Sequence, residues 1–196
     1  MSQKKINLRQ VCFSTGIILI LSAMVWLILW QTSAQKNTEK IQAYVDMLFE
    51  LIPDPQASVL EPRTNNTMPS LNVKNENFVA IIEVPLNTAS FPVGASWNTN
   101  NKYPCRYDGS VYDGTLIIGT TNHKGQFDFV KEITVGNVLY ITDMTGNRFS
   151  YTVTDIRYSN HADNDVLYNN DTDLTIFVKN IYALEYIILH CTASGS

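Results

Sequence analysis

The chain has 196 residues, of which 45% are hydrophobic and 16% are charged, and its formal net charge is −4. Nine glycines, seven prolines and an aromatic content of 11% exclude collagen-like and wholly disordered proteins, and three cysteines are too few for a disulfide-dense scaffold. The acidic balance argues against nucleic acid as a partner. The length suits one domain of ordinary size and is too short for two large ones.

A long stretch near the N-terminus, from Gln10 to Gln35, contains no charged residue. Its central part, Val11–Trp30, is predominantly apolar and reaches the roughly 20 residues that cross a hydrocarbon core. Trp26 and Trp30 suit a membrane interface, and basic residues before the stretch orient the N-terminus towards the cytoplasm. The sequence therefore predicts a single-pass cell-membrane protein with an extracellular C-terminal domain. The basic residues are Lys4, Lys5 and Arg9.

A cleaved signal peptide is the competing interpretation of this stretch. Thr32, Ser33 and Ala34 offer a weak small-residue cleavage site. The apolar segment is longer than the usual hydrophobic region of about 7–15 residues, which favours a retained anchor. The sequence beyond it holds all 18 acidic residues and all but three of the 14 basic ones, so that part carries a net charge of about −7.

The segment after the anchor has the pattern of an amphipathic helix. Within Lys36–Ile52, apolar residues recur at spacings of three or four, and Pro53 ends the pattern. A proline-containing polar segment, 54–70, then reads as a linker. We expect three parts: a cytoplasmic tail and anchor at 1–35, a juxtamembrane helix and linker at 36–70, and an extracellular domain at 71–196. The periodic apolar residues are Ile41, Val45, Leu48 and Ile52.

The C-terminal part has the pattern of an all-β domain. Short runs rich in Ile, Val, Tyr, Phe and Thr alternate with turn residues, which is typical of a barrel or sandwich of seven or eight strands. One short helix is expected at Gln126–Glu132. The predicted strands are Phe78–Val84, Thr115–Thr120, Val138–Thr142, Phe149–Ile156, Leu174–Val178 and Tyr186–His190.

Several segments from Phe78 to the C-terminus, in their order and spacing, resemble the sortases, the membrane-anchored cysteine transpeptidases of Gram-positive cell surfaces, and more closely class B-like or unclassified members. The resemblance implies an eight-stranded sortase-like β-barrel with short helices and a groove for an extended sorting-signal peptide. The segments are Phe78–Pro85, Phe91–Val93, Cys105–Ser110, Gly114–Gly119, Gln126–Phe127, Val135–Asn137, Ile141–Gly146 and Asp173–Phe177.

Active sortases use a histidine, a cysteine and an arginine: the thiolate attacks the peptide carbonyl, the histidine handles the leaving amine, and the arginine holds substrate and oxyanion. Carried onto this sequence, the histidine position falls on Thr121, which precedes Asn122. The cysteine position falls on Lys179 and the arginine position on Tyr186. The resemblance thus implies that all three catalytic positions are substituted.

Relocated chemistry is the alternative, with Cys191 as nucleophile and His123 as base. This register leaves Asp173–Phe177 without a role and leaves five residues after the cysteine, too few for the strand that carries the arginine. His123 reads more simply as a solvated loop histidine. His161 and His190 have no catalytic pattern either.

The two cysteines beyond the anchor, Cys105 and Cys191, have three interpretations. The resemblance implies a disulfide, since similar sortases hold cysteines in both segments and the extracellular space permits oxidation. The others are two unlinked buried thiols and a catalytic Cys191.

The remaining polar positions suggest binding rather than catalysis. Lys179 can meet a peptide carboxylate or carbonyl, and Tyr186 can stack or donate a hydrogen bond.

The acidic loop Asn160–Asp173 supplies oxygen ligands suited to calcium but lacks a dedicated calcium-loop pattern. We therefore expect no metal site and no cofactor.

The leading hypothesis is a catalytically inactive, membrane-anchored sortase-like protein that binds a sorting-signal peptide, a surface or pilin subunit, or an active sortase. An active cysteine transpeptidase using His123 and Cys191 is the second. A structural surface module without a peptide groove is the third.

Overall fold

The structure is a computed structural model that describes residues 8–57, 67–98, 102–122, 127–180 and 184–194. The chain forms two compact units, Met1–Glu39 and Lys40–Ser196. A continuous 44-residue helix, α1 (Leu8–Leu51), contributes to both units. The sequence pattern predicted two separate helical segments here, and the structure joins them. The helix ends two residues before Pro53, because proline cannot continue the backbone hydrogen bonding.

In the first unit, α1 exposes a series of large apolar side chains between Phe13 and Leu29. Ile18, Trp26 and Leu29 are 65%, 67% and 62% exposed. Over the residues that the structure describes, no helix combines the length and the mean hydropathy that a membrane span requires.

Among the residues that the structure describes, the second unit has ten strands, eight of which close into a barrel. The barrel strands are β3 (Glu76–Val84), β4 (Ala89–Gly94), β5 (Cys105–Asp108), β6 (Leu116–Thr121), β7 (Val138–Asp143), β8 (Asn147–Ser159), β9 (Leu174–Asn180) and β10 (Glu185–Ala193). Their order is β8-β10-β9-β6-β5-β4-β3, and β7 closes the barrel by pairing with both β3 and β8. Two short strands, β1 (Gln56–Ala57) and β2 (Leu71–Val73), extend the sheet beside β8 and β3.

The all-β prediction is confirmed, since five of the six predicted strands lie within observed strands and the sixth, Thr115–Thr120, begins one residue before β6. Short helices accompany the barrel in the described part of the chain: 3₁₀ turns at Pro85–Asn87 and Asp128–Lys131 and helix α2 (Asn164–Leu167). The turn at Asp128–Lys131 falls inside the predicted helix Gln126–Glu132.

The hairpin between β7 and β8 shows how local chemistry sets a turn. Gly146 has φ +83°, a backbone conformation that side chains other than glycine rarely adopt. The buried Asp143 carboxylate accepts hydrogen bonds from the backbone N–H groups of Thr145 and Asn147 at 2.8 and 2.9 Å. Burial alone would raise the pKa of Asp143, but hydrogen bonds from Tyr112, Asn147 and Thr145 lower it.

Three hydrophobic clusters, counted over the described residues, stabilise the second unit. The largest fills the barrel and includes Ile118, Ile176 and Cys191. Another lies between the last turns of α1 and the outer surface of the barrel, where Leu48 meets residues such as Phe78 and Cys105. The third covers the outer face of β6, β9 and β10 with side chains of the segment that contains α2.

Candidate functional site

Strand register brings together the three positions identified from the family pattern. Thr121 on β6 pairs with Lys179 on the parallel strand β9, and Lys179 pairs with Tyr186 on β10. The three residues, called the Thr121 row below, thus lie side by side at one end of adjacent strands, with neighbours about 4.8 Å apart. The N–H of Asn122 donates to the Lys179 carbonyl at 2.9 Å and extends the β6–β9 pairing by one bond.

The side chains of the Thr121 row differ in burial. Thr121 and Asn122 are buried, Tyr186 is half-buried and Lys179 is exposed. The Lys179 ammonium lies 5.9 Å from the centre of the Tyr186 ring, within range of a cation–π interaction. An exposed lysine lacks the desolvation that makes a lysine nucleophilic, so this arrangement suits an anion or a carbonyl dipole.

An aromatic cluster lies beside the row. Phe177 is two residues before Lys179 on β9, and its ring centre lies 5.2 Å from Trp97, 5.3 Å from Tyr107 and 6.4 Å from Tyr186. Tyr107 remains 39% exposed, whereas Phe177 is 3% exposed. The rings of Phe177, Trp97, Tyr107 and Tyr186 form an apolar surface, called the apolar floor below, on the outer face of the barrel. The charged ammonium of Lys179 lies at its edge.

Gly119 allows the aromatic cluster to rest directly on β6. A Cβ atom at this position would overlap the Phe177 ring and lie 2.5 Å from Trp97 Cζ3. Sequence reasoning missed Gly119 and Trp97, although an isolated glycine within a strand pattern is a recognised signal of close approach by another group.

The acidic loop, residues 160–173, packs onto the same outer face. Leu167 is buried against Ile117 and Ile188, and the Tyr168 hydroxyl donates to Asp108 Oδ2 at 2.5 Å. This hydrogen bond is the main reason why the pKa of Asp108 is lowered and that of Tyr168 is raised to about 12. The loop is thereby attached to the end of β5.

The predicted disulfide between Cys105 and Cys191 is wrong. Both residues are buried thiols. Cys105 lies in the cluster outside the barrel, beneath α1, whereas Cys191 lies in the barrel interior. Three strand-to-strand steps, from β5 through β6 and β9 to β10, separate them. At about 4.8 Å a step, this exceeds the Cα separation of roughly 7 Å that a disulfide tolerates.

The surroundings of Cys191 are those of a core residue. Its side chain is fully buried, and burial raises the pKa of its thiol to about 12. A thiolate, the reactive form, is therefore disfavoured at this position. His123, its proposed partner, lies outside the described residues. His161 is exposed, and His190 is buried next to Cys191 but on the opposite face of β10.

The four aspartates of the acidic loop are accessible to solvent. Asp163, Asp165 and Asp171 are exposed, and Asp173 is half-buried. Among the described residues there is no group of three or more His, Cys, Asp or Glu side chains that could hold a metal ion.

No family model and no curated protein matches this chain in sequence. Solved structures do match in fold. Sortase A from Corynebacterium diphtheriae superposes with a TM-score of 0.54 at 15% identity, over 89% of this chain and 96% of that chain. A Clostridium perfringens sortase D5 transpeptidase gives 0.50 at 19% identity, over 60% and 79%. Sortase C1 from Streptococcus suis gives 0.51 at 13% identity, over 61% and 74%. The barrel therefore has a sortase-like fold, as the sequence resemblance predicted.

Proposed function

We propose that this protein is a membrane-anchored surface protein whose sortase-like barrel binds an extended peptide without catalysing transpeptidation. The observation that carries the proposal is the Thr121 row: the three residues that the sequence resemblance assigns to the catalytic positions lie side by side, and none of them is a cysteine, a histidine or an arginine. The proposed ligands are a sorting-signal peptide, a surface or pilin subunit, or an active sortase.

Acyl transfer through a covalent intermediate needs an activated nucleophile, a base and groups that stabilise the oxyanion. The row offers a buried threonine hydroxyl, an exposed ammonium and a tyrosine phenol. None is paired with a described base that would activate it. The alternative, nucleophilic attack by Cys191, requires a thiolate at a site where burial raises the pKa to about 12. Both features favour binding over chemistry.

The geometry near the row suits an extended peptide. The aromatic cluster supplies an apolar surface for side chains, since aromatic rings contribute large contact areas at small entropic cost. Lys179 is exposed beside it and can pair with a carboxylate or polarise a carbonyl. One charged group at the edge of an apolar floor fixes the orientation of a ligand.

The anchor is proposed from α1 and from the sequence that surrounds it. Apolar side chains from Ile17 to Leu29 are exposed around the helix, which is unfavourable in water and favourable in lipid. The hydroxyls of Ser22 and Thr32 donate to backbone carbonyls of the helix at 2.9 and 3.1 Å, as a hydrocarbon environment requires. The charge-free sequence continues from Gln10 to Gln35, beyond the side chains that are described. With basic residues before it, the barrel is expected outside the cell.

The catalytic part of the proposal is tested by intact-mass spectrometry. The full chain in lipid nanodiscs is incubated with a synthetic sorting-signal peptide and an amine acceptor. We expect no covalent adduct, no cleavage and no ligation. An acyl adduct on any residue, Cys191 included, would show that the protein is an enzyme.

The binding part is tested with the same peptide by fluorescence anisotropy. Binding should be saturable, and Lys179→Ala should weaken it roughly 5- to 30-fold, since a charge-assisted contact contributes about 1–2 kcal/mol. Lys131→Ala, which removes an exposed lysine from the 3₁₀ turn Asp128–Lys131 and not from a strand of the Thr121 row, is the matched control and should bind like the original chain. If sorting-signal peptides, pilin subunits and sortases all fail to bind saturably, the binding proposal is wrong. The hypothesis of a structural surface module without a peptide groove would then be favoured.

A further inference from the structure

Trp97 joins two of the hydrophobic clusters of the second unit. It follows the end of β4 by three residues and is half-buried. It packs against the cluster between α1 and the barrel and also against the cluster on the outer face of β6, β9 and β10. Among the described residues, Trp97 alone belongs to both of these clusters. The packing of α1 is therefore continuous with the apolar floor through this side chain.

On one side of this junction, an aromatic ring that contacts α1 rests on the end of β4. The ring centres of Tyr44, on α1, and Tyr103 lie 6.2 Å apart, and the fully buried Leu48 belongs to the same cluster. A Cβ atom at Gly94, the last residue of β4, would lie 2.8 Å from Tyr103 Cε2. The segment that carries Trp97 thus begins against a ring that is packed under α1.

The backbone around Trp97 is irregular, so strand pairing does not place its side chain. The N–H of Ala95 donates to the Asn77 carbonyl at 2.8 Å, and Arg106 Nε donates to the Ala95 carbonyl at 3.3 Å. These two bonds fix the chain two residues before Trp97. The orientation of the indole ring then depends on the groups that it packs against.

On the other side of the junction, Trp97 is part of the apolar floor. Its ring centre lies 5.2 Å from that of Phe177 and 6.0 Å from that of Tyr107. A Cβ atom at Gly119 would lie 2.5 Å from Trp97 Cζ3, so the indole rests on the bare backbone of β6. Packed side chains transmit displacements to their neighbours. A shift of Trp97 therefore changes the surface that the floor presents to a peptide.

We propose that Trp97 is a positioning residue through which docking of the last turns of α1 on the barrel preorganises the peptide site. Because it acts on the peptide-binding surface proposed above, this role rests on the proposed function. A surface that already has its bound arrangement binds more tightly, since less ordering is needed on association. Loosening the cluster beneath α1 therefore weakens peptide binding, although no residue of α1 belongs to the apolar floor or the Thr121 row.

The fluorescence of Trp97 tests this link without a ligand. The other two tryptophans are Trp26 and Trp30, so replacing both with phenylalanine leaves Trp97 as the single emitter. In this background, with the full chain in lipid nanodiscs, Leu48→Ala should shift the emission to longer wavelengths and increase its quenching by acrylamide, because the indole becomes more accessible to water. Leu51→Ala, at an exposed position of the same helix, should change neither. Unchanged emission in Leu48→Ala would overturn the proposal.

Peptide affinity tests the consequence for the site. In anisotropy titrations with the sorting-signal peptide, Leu48→Ala should weaken binding roughly 3- to 10-fold, as expected for a residue that acts through another. Leu139→Ala is the matched control, because Leu139 is an equally buried leucine on β7 inside the barrel. It should leave the affinity unchanged at a temperature where near-ultraviolet circular dichroism shows every variant folded. Equal weakening by the two substitutions would assign the effect to lost stability and contradict positioning.

A double-mutant cycle locates the effect at Trp97. Trp97→Leu should weaken peptide binding, and Leu48→Ala should add little further loss in that background, since the transmitting side chain is gone. If the two losses multiply, α1 acts by another route and Trp97 is not the positioning residue. If the original chain binds no sorting-signal peptide, the proposed function fails. The emission of Trp97 then decides separately whether α1 positions this side chain.

Discussion

His190 is a histidine whose buried surroundings disfavour its protonated form. Its side chain is fully buried, its Nδ1 lies 3.4 Å from Thr175 Oγ1, and its Nε2 has no hydrogen-bond partner within the described structure. Burial lowers its pKa most, Arg157 lowers it further and Asp155 partly opposes this. His190 is therefore kept neutral in the folded chain.

This arrangement predicts a stability that depends on pH. Because the pKa of His190 is lower in the folded state than in the unfolded state, the unfolded state takes up the proton first. The free energy of unfolding should fall as the pH drops below the unfolded value of about 6.5, before most carboxylates are protonated. Thermal melts of the full chain in nanodiscs between pH 7.5 and 5.5 measure this fall.

His190→Gln should flatten this dependence, whatever its effect on the melting temperature at pH 7.5. His161→Gln, at an exposed position in the acidic loop, should retain the original dependence. If His190→Gln loses stability with falling pH as steeply as the original chain, His190 is not the group responsible.

Single residues also show where sequence reasoning reaches its limit. The pairing of Cys105 and Cys191 failed because sequence spacing does not reveal which face of a strand a side chain occupies, nor how many strands lie between two residues. The family pattern assigned the catalytic positions to Thr121, Lys179 and Tyr186, an assignment that stays a prediction, and strand register brings the three residues together. The approach of Trp97 to Gly119 was not predicted, because the sequence does not show which segment of the chain covers a strand.

At the scale of elements, strongly periodic segments were the most predictable. The apolar positions Ile41, Val45, Leu48 and Ile52 are all buried, as the helical spacing indicated. Strands β4 and β5 were missed as elements. Pro92 and Gly94 weaken the pattern of β4, and β5 has only four residues, two of them charged. Both segments are strands because they hydrogen-bond to neighbouring strands of the sheet, and not because their own residues favour the extended conformation.

The last turns of α1 are predicted to be structural parts of the barrel unit. Leu48 is fully buried, and in the same cluster the rings of Tyr44, Phe78 and Tyr103 pack at tilted and edge-on angles with centres 5.1 to 6.2 Å apart. Leu48→Ala should therefore lower the free energy of unfolding by about 2–5 kcal/mol, since it leaves a cavity in a packed cluster. Denaturant titration followed by near-ultraviolet circular dichroism measures the change.

Leu51→Ala is the matched control, because Leu51 is 60% exposed in the same helix. Its effect should stay within about 0.5 kcal/mol. Comparable losses from the two substitutions would mean that the effect is one of helix propensity and not of packing against the barrel.

At the scale of the whole molecule, the anchor is the property to be tested. Leu21 and Val25 are exposed side chains one turn apart on α1. Replacing both with arginine should cost about 5–7 kcal/mol of insertion free energy, at roughly 2.5–3.5 kcal/mol for each charge in a membrane centre. After cell-free synthesis with lipid vesicles, the original chain should float with the vesicles through an alkaline wash, and the double variant should not.

The control for this experiment places the same two charges on the barrel. Val135→Arg with Tyr158→Arg alters exposed apolar positions of the second unit and should leave flotation unchanged. Extraction of the original chain by the alkaline wash would contradict a membrane anchor.

Closure of the barrel by β7 also affects how copies of the protein behave next to one another. In the part of the chain that is described, the sheet ends in β1 and β2, which have two and three residues. Longer unpaired strand edges would offer backbone N–H and C=O groups to a neighbouring chain. Under the proposed membrane anchor, copies would meet repeatedly in the same orientation, and a sheet without long edges would let them reach high surface density while remaining separate molecules.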